Sequence, residues 1–409
     1  MTAKSGFYAE TNFKEVSELG KIPAEWEVVQ IGDVLSLEYG SGLPDRERTH
    51  GPYPVVGSNG IIGYHSKAIV KGPGIVVGRK GSIGAVSWID SDFWPIDTTF
   101  YVKIETSNIF LKWLFYELVY LNLGRFRLAD VVPGLKRELV HSLKMPLPPF
   151  SEQQKIAEIL STVDEAIQKT DEVIATSERL KKGLMQELLT KGIGHKEFKD
   201  TEIGGIPKEW GVVKLGEIGT FQYGITASAK EEDTGVKFLR ITDIRDNGTI
   251  NWSEVPFCEI SISELSKYML KVGDVLFARI GATTGKTCYI NREIRGVFGS
   301  YLIRFLPDVN SQIDTKFIHL FTQSEMYWLQ VNRMKGGQLK KGLNTQLLKE
   351  IKIPLPPLEE QRKIIQVLST VDKKLEIERN EKAKLERIRK GLIDLLLTGK
   401  IRIRFGEIS

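Results

Sequence analysis

Cysteine and histidine are scarce in this chain, with two and five copies in 409 residues. Cys258 and Cys288 lie too far apart for a Cys-x-x-Cys pair. His50, His65, His141, His195 and His319 occur singly, so no zinc-ligand spacing arises and no metal site is expected. Such usage argues against a disulfide framework and for a reducing, cytoplasmic setting. No stretch approaches the ~18 apolar residues of a membrane span. The opening MTAKSGFYAETNFKEV also lacks the apolar core of a signal peptide. Excess charge of one sign is missing as well: 57 Lys and Arg face 52 Asp and Glu, a net +5. That mild basicity is compatible with an anionic partner and excludes a polycationic tail. Catalytic signatures are absent too, including Asn/Asp-Pro-Pro-aromatic, His-Glu-x-x-His, Gly-x-Ser-x-Gly and a Gly-x-Gly-x-x-Gly after a strand.

What is present is a duplication. "IPAEWEVVQIGDVLSLEYG" from Ile22 matches "IPKEWGVVKLGEIGTFQYG" from Ile206, pairing Pro23/Pro207, Trp26/Trp210, Gly32/Gly216, Tyr39/Tyr223 and Gly40/Gly224. A second block, "PGLKRELVHSLKMPLPPFSEQQKIAEILSTVDEAI" from Pro133, matches "KGLNTQLLKEIKIPLPPLEEQRKIIQVLSTVDKKL" from Lys341. It continues through Gly183/Gly391 and Thr190/Thr398. The ends of each unit are alike and the middles diverge, and two copies are too few for a solenoid. The pattern fits a duplicated domain performing two versions of one task.

The shared closing blocks predict long helices. Pro-Leu-Pro-Pro marks each start, and Ser151 before Glu152 suits an N-cap with an acidic first turn. Ile156, Leu160, Val163, Ile167 and Ile174 follow at three/four spacing. Thr170 and Ser177 fill the seam, and Leu180, Leu184 and Leu188 resume it on a shifted phase. In the second block the pairing residues are Ile364, Leu368, Val371, Leu375, Leu385 and Leu392, with Ile388 and Leu395 continuing the run. From Ser151 to Thr190 a straight helix would span ~60 Å at ~1.5 Å per residue. A narrow seam of that length predicts that the two helices pair with each other, antiparallel. The expected fold is therefore mixed α/β (α+β): two globular domains joined by two long helices forming an antiparallel coiled coil, with an internal pseudo-two-fold repeat. Boundaries fall at 1–145, 146–194, 195–353 and 354–409. Within the middles, "GIVVG", "AVSWI", "VKFLRI" and "GDVLFARI" predict strands, and 109–121 and 314–332 predict helices.

One loop resembles a nucleotide site. Gly281–Thr287 reads Gly-Ala-Thr-Thr-Gly-Lys-Thr, where a phosphate loop requires four residues between its glycines and a helix after them. Here there are three, and a strand-like run follows. Its repeat partner "VVGRKGSIGAVSWI" (76–89) keeps Arg79/Arg279 and Gly81/Gly281 but has no Gly-Lys-Thr. The shared element is a glycine turn carrying an arginine. Such turns suit DNA, because backbone amides and cations hold phosphates and a guanidinium reads guanine edges. The candidate contacts cluster in loops of both units. In the first they are Arg46, Arg48, Arg79, Lys80, Ser82, Arg125, Arg127, Lys136 and Arg137. In the second they are Arg240, Arg245, Asn247, Arg279, Thr283, Thr284, Lys286, Lys335, Gln338, Lys340, Lys341 and Asn344.

The whole arrangement resembles the specificity subunit of type I restriction–modification systems. The resemblance rests on "GKIPAEW…IGDV" and "GGIPKEW…LGEI", each followed by "PLPP…EQ(Q/R)KIxxxLSTVD…KGLxxxLLT", and on "LLLTGKIRI", "VKFLRITDI" and "GDVLFARIGATTGK". It implies a non-catalytic reader of double-stranded DNA with two target recognition domains, one for each half of a split asymmetric site. It further implies that the helix pair sets the spacer and docks two modification (methyltransferase) subunits, joined by restriction (translocase and nuclease) subunits. S-adenosylmethionine, ATP and Mg2+ would then sit on the partners, and no cofactor or membrane would engage this chain. The rival readings are a coiled-coil scaffold without DNA sequence choice, a stand-alone NTPase and an orphan DNA-binding protein.

Overall fold

The computed structural model describes residues 6–126, 134–335 and 342–404. The chain divides into two compact units, Met1–Asp171 with Asn380–Ser409, and Glu172–Arg379. Each unit is built on the same plan.

In the first unit an antiparallel sheet runs Leu35–Tyr39, Thr99–Ile104, Gly74–Gly78, Val86–Ile89. Alternation explains its burial: Leu35 and Leu37 face the core while Ser36 and Glu38 do not. Gly74–Gly78 is buried throughout, as its unbroken apolar run requires. The helix Leu111–Leu121 adds Trp113, Leu114, Tyr116 and Leu118 to the same core. The second unit repeats the order with Gly219–Tyr223, Leu302–Pro307, Val275–Ala278 and Thr287–Tyr289. The predicted helix over 314–332 is two helices, Thr315–Phe321 and Glu325–Lys335. Hydroxyls break it. Thr322 turns its Oγ1 to the His319 carbonyl and to Thr287, and Ser324 Oγ accepts the Tyr327 N–H.

Pro-Leu-Pro-Pro does more than start a helix. Lys144–Leu147 pairs antiparallel with Glu27–Gln30, and Lys352–Leu355 with Gly211–Lys214, so the two matched sequence blocks of each repeat meet as a strand pair. The long helices then run Phe150–Leu188 and Leu358–Leu397. Ser151 lies inside the first turn and does not cap it; the Pro149 carbonyl takes the Glu152 and Gln153 N–H groups.

Both long helices pass from one unit into the other. In the first unit Ile156 and Leu160 share a core with Ile393, Leu396 and Leu397. Asp164 pairs with Arg389, and Asp171 with Lys382 at 2.6 Å. In the second unit Met185 and Leu189 share a core with Ile364 and Leu368. Glu178 pairs with Arg379 and Lys181 with Asp372, both at 2.7 Å. Numbers rising on one helix meet numbers falling on the other, so in each unit the helices are antiparallel. Leu375 is buried, and Val163, Ile167, Ile174, Leu184, Val371, Leu385 and Leu392 are half-buried on this seam. Leu180 and Ile388 face outward instead, both more than half exposed. Ser177 lies inward as expected, and the stem of Lys181 takes the inward phase that Leu180 was expected to fill.

The chain ends also meet. Gly6–Ala9 pairs antiparallel with Ile401–Arg404 in the first unit. This places Arg402 beside Glu152, with bonds of 2.7 and 2.9 Å, and beside Glu10 at 2.6 Å. The same Glu152 accepts the Trp26 indole N–H at 3.1 Å. In the second unit Glu360 accepts the Trp210 indole at 2.9 Å and meets His195 at 2.9 Å. Arg402 and His195 thus hold equivalent places.

Candidate nucleic-acid interface

Each four-stranded sheet carries the glycine turn between its third and fourth strands. Gly81 and Gly84 sit at φ +72° and +75°, and Gly281 and Gly285 at +72° and +92°. A side chain at Gly84 would also collide with the Gly124 backbone, so glycine is required twice over. The turns share their anchors. The Arg79 N–H donates to Thr98 and the Arg279 N–H to Tyr301, while the Arg79 and Arg279 carbonyls accept Leu135 and Leu343. Thr287–Tyr289 leaves the second turn as a strand, which completes the case against a nucleotide loop.

Above each turn an arginine lies on a tyrosine from the first strand. The Arg79 guanidinium is 5.2 Å from the Tyr39 ring, and Arg279 is 5.0 Å from Tyr223. Arg137 approaches the same Tyr39 at 5.4 Å. Arg79 donates one Nη2 bond to the Asp97 carbonyl at 3.0 Å. The pair Tyr39/Tyr223 was visible in the repeat alignment, but a tyrosine in a strand carries no signal of what lies on it.

The other predicted contacts divide by what they touch. Arg46 and Lys80 are exposed, and Arg125 is exposed over Phe126 at 4.6 Å. Lys136 is exposed and Ser82 half-buried. Arg245 is exposed, 3.9 Å from Glu254. Several brace the fold. Arg48 donates to Asp45 and to the Leu43 and Ile62 carbonyls. Arg240 pairs with Asp243 at 2.8 Å. Thr283 and Thr284 bond back to the Ile280 and Gly281 carbonyls. Asn247 closes its own turn onto Thr249, and Asn344 caps the helix Thr345–Lys349. Lys286 pairs with Asp246, and that cation holds the Asp246 carboxyl below its usual range. Lys335 ends the helix Glu325–Lys335. Arg127, Gln338, Lys340 and Lys341 lie outside the described residues.

Beside Lys286 a cleft of about 550 Å³ opens toward the long helix, lined by Lys182, Gln186, Asp246, Gln323 and Trp328 among others. Among the described residues no cluster of three metal-ligating side chains occurs, and no helix is long and apolar enough to cross a membrane. Both thiols are buried, which pushes them above the ordinary cysteine range. Four of the five histidines are built into hydrogen bonds: His65 with Thr49, His141 with Leu37, His195 with Glu360 and His319 with Gln323.

A duplicated sheet-and-helix domain, each copy bearing a cation-bearing turn and each containing parts of two long helices, defines a protein built from two copies of one module. The sequence places it further: the model of the Type I restriction modification DNA specificity domain matches residues 23–176 and 207–387, and the chain belongs to that family. The type I restriction enzyme MjaVIII specificity subunit of Methanocaldococcus jannaschii is 32% identical, over 97% of this chain and 98% of its own length. The EcoKI specificity subunit of Escherichia coli K12 is 24% identical over 54% of this chain and 49% of its own. In fold, the chain is similar to the crystal structure of the type I restriction–modification S subunit from M. genitalium. The TM-score is 0.66 at 19% identity, covering 91% of this chain and 96% of that one. A chain from a structural study of type I R-M complex assembly and conformational transition reaches 0.52 at 16% identity, covering 93% and 99%.

Proposed function

We propose that this chain is the DNA-reading subunit of a type I restriction–modification complex, with each unit reading one half of a bipartite site. The observation that carries the reading is the repeated arginine–tyrosine turn: one frame, built twice, surrounded by segments that differ. Cations held on aromatic platforms at a glycine turn suit phosphate and guanine. Arg79, Arg279, Lys80 and Arg137 are the primary contacts in this reading, and Arg48, Arg240, Thr284 and Asn344 support the loops that present them.

The long helices serve protein partners. Val173, Leu180, Ile377 and Ile388 point apolar side chains outward from them, which suits docking of other subunits of the complex. Two modification subunits, matching the two repeats, and restriction subunits complete the assembly. Chemistry belongs to those partners, together with S-adenosylmethionine, ATP and Mg2+, and this chain binds and positions without catalysing.

Methylome sequencing of cells expressing the chain with its cognate modification subunit tests the reading. The expected result is methylation at one motif of two short halves separated by unread bases. Methylation without a bipartite motif would overturn it in favour of the scaffold alternative.

A further inference from the structure

We propose that the ribbon Tyr53–His65 is the base-reading element of the first unit, and that its Ile61, Ile62 and Tyr64 read thymine methyl groups in the major groove. This rests on the DNA-reading function proposed above.

The ribbon consists of Tyr53–Gly57 and Gly60–His65, antiparallel and joined through Ser58 and Asn59. Gly60–His65 is the edge strand, and of its residues only His65 is buried. There it shows large apolar side chains in a row: Ile61 is 51% exposed, Ile62 45% and Tyr64 56%. Apolar side chains this concentrated and this exposed call for something to cover them.

Three further features point to DNA as the cover. The tip is fixed against the arginine turn, since a Cβ on Gly81 would lie 3.1 Å from Ser58 Oγ and one on Gly78 2.9 Å from the Ser58 carbonyl. Arg48 straps the edge strand by donating to the Ile62 carbonyl at 3.2 Å. Arg48 and Arg79, with the exposed Arg46 and Lys80, lie in the segments next to the ribbon, although residues 45–97 as a whole balance Arg46, Arg48, Lys67, Lys71, Arg79 and Lys80 against Asp45, Glu47, Asp90, Asp92 and Asp97. A two-stranded ribbon fits the major groove, where aliphatic groups meet the thymine C5 methyl.

The second unit supplies the contrast. Lys237–Leu239 pairs parallel with Gly296–Phe298, as Tyr53–Gly57 pairs with Trp94–Pro95. The chain then turns at Asp246–Asn247–Gly248 between bridged Ile244 and Ile250, in the place of Ser58–Asn59–Gly60. That turn too packs on its glycine loop: a Cβ on Gly248 would lie 2.8 Å from the Thr287 carbonyl, and Asp246 pairs with Lys286. Its exposed residues are Arg245, Asp246, Asn247 and Thr249, all polar. The position is repeated and the chemistry is reversed. A protein partner common to both units would favour the same chemistry twice, whereas two unlike half-sites favour different chemistry in one position.

The test uses the full chain assembled with its modification subunits. Ile61→Ser with Ile62→Ser should relax the methylated motif at thymine positions in one half and leave the other half unchanged. In a binding assay, deoxyuridine in place of thymine in that half removes only the C5 methyl. It should weaken wild-type binding about fourfold for each methyl read, and should weaken the double variant, which keeps only Tyr64, by less. The uridine series on the wild type needs no variant, so a folding defect cannot shelter the idea. An unchanged motif in the variant, or indifference of the wild type to uridine, would overturn the proposal. So would loss of subunit co-purification in the variant with DNA binding intact, which would mark the patch as a protein surface. If the wild-type complex itself shows no bipartite motif, the DNA-reading function fails, not only the ribbon's role.

Discussion

The indole N–H of Trp26 donates to Glu152 across 126 positions of sequence, at 3.1 Å. Arg402, only 5% exposed in its side chain, shares that carboxylate. Burial works against the Arg402 charge, but its bonds to Glu152 and Glu10 outweigh burial and hold the guanidinium firmly protonated. Glu152→Ala leaves the buried Trp26 N–H without its acceptor and Arg402 with only Glu10 and Glu25 as partners, which costs about 3 kcal/mol. Glu360→Ala in the second unit should cost less, because Glu360 is more exposed than Glu152, at 12% against 3% of its side chain. Urea unfolding of both variants checks the ranking; equal losses would refute it.

Glu117 lies in the core of the first unit, 1% exposed, with one carboxyl oxygen unpartnered. Burial raises it to about 8 from 4.5. Between those values the folded chain keeps a proton that the unfolded chain releases, so stability falls as pH rises from 4.5 to 8. The full loss is on the order of 5 kcal/mol. Glu117→Gln should remove that slope and stabilise the first unit most at pH 8 and above, read by thermal unfolding at several pH values. Phe321 occupies the equivalent place in the second unit. The correspondence follows from Gln153 and Gln361, which accept the N–H groups of Phe110 and Asp314 ahead of the two helices.

His319 sets the opposite slope. Burial, with the nearby Lys181 and Lys316 cations, lowers it to about 3. Gln323 Nε2 stands 2.8 Å from one ring nitrogen and Thr287 Oγ1 3.4 Å from the other, an arrangement a neutral ring satisfies. Below its ordinary 6.5 the unfolded state takes up a proton that the folded state refuses, so the second unit loses stability from pH 6.5 down toward 3. His319→Gln should flatten that limb of the acid-unfolding curve. A retained slope would assign it to other groups.

Arg79→Ala and Arg279→Ala should each weaken DNA binding and reduce the slope of log affinity against log salt by about 1 if the guanidinium meets a phosphate. A changed motif with an unchanged salt slope would assign the arginine to a base instead.

Four residues inserted after Thr170, matched by four in the second long helix, should lengthen the unread spacer and leave both half-sites as they were. The methylome is the measurement, and altered half-sites would contradict the proposed division between spacer and readers.

Much of this was legible beforehand. The duplication was legible, since Trp26 recurs 184 positions on as Trp210 and the Pro-Leu-Pro-Pro block 208 positions on. The helices were legible because their apolar period persists over many turns. Short-range chemistry was not. Leu180 was read as a seam residue because period alone cannot distinguish an inward leucine from the stem of Lys181, which also has ion pairing to gain from facing inward. The strand made by Lys144–Leu147 was hidden by its proline, which a paired strand seldom tolerates. Arg402 was missed because its partner strand lies at the other end of the chain, and four-residue strands such as Gly6–Ala9 are too short to show a period. The arginine–tyrosine stacking was not legible, because it depends on two strands that flank a third in the sheet, an order no local pattern reveals.

The second unit is one uninterrupted stretch, Glu172–Arg379, while the first is assembled from both ends of the chain. Both joints fall inside the long helices. A gene with this layout can exchange its whole second unit by two recombination events, provided each crossover preserves the helical phase. Under the proposed function, such an exchange would replace half of the DNA address at once and leave the first reader intact. Replacing the first unit is a different matter, because its parts lie on both sides of the second.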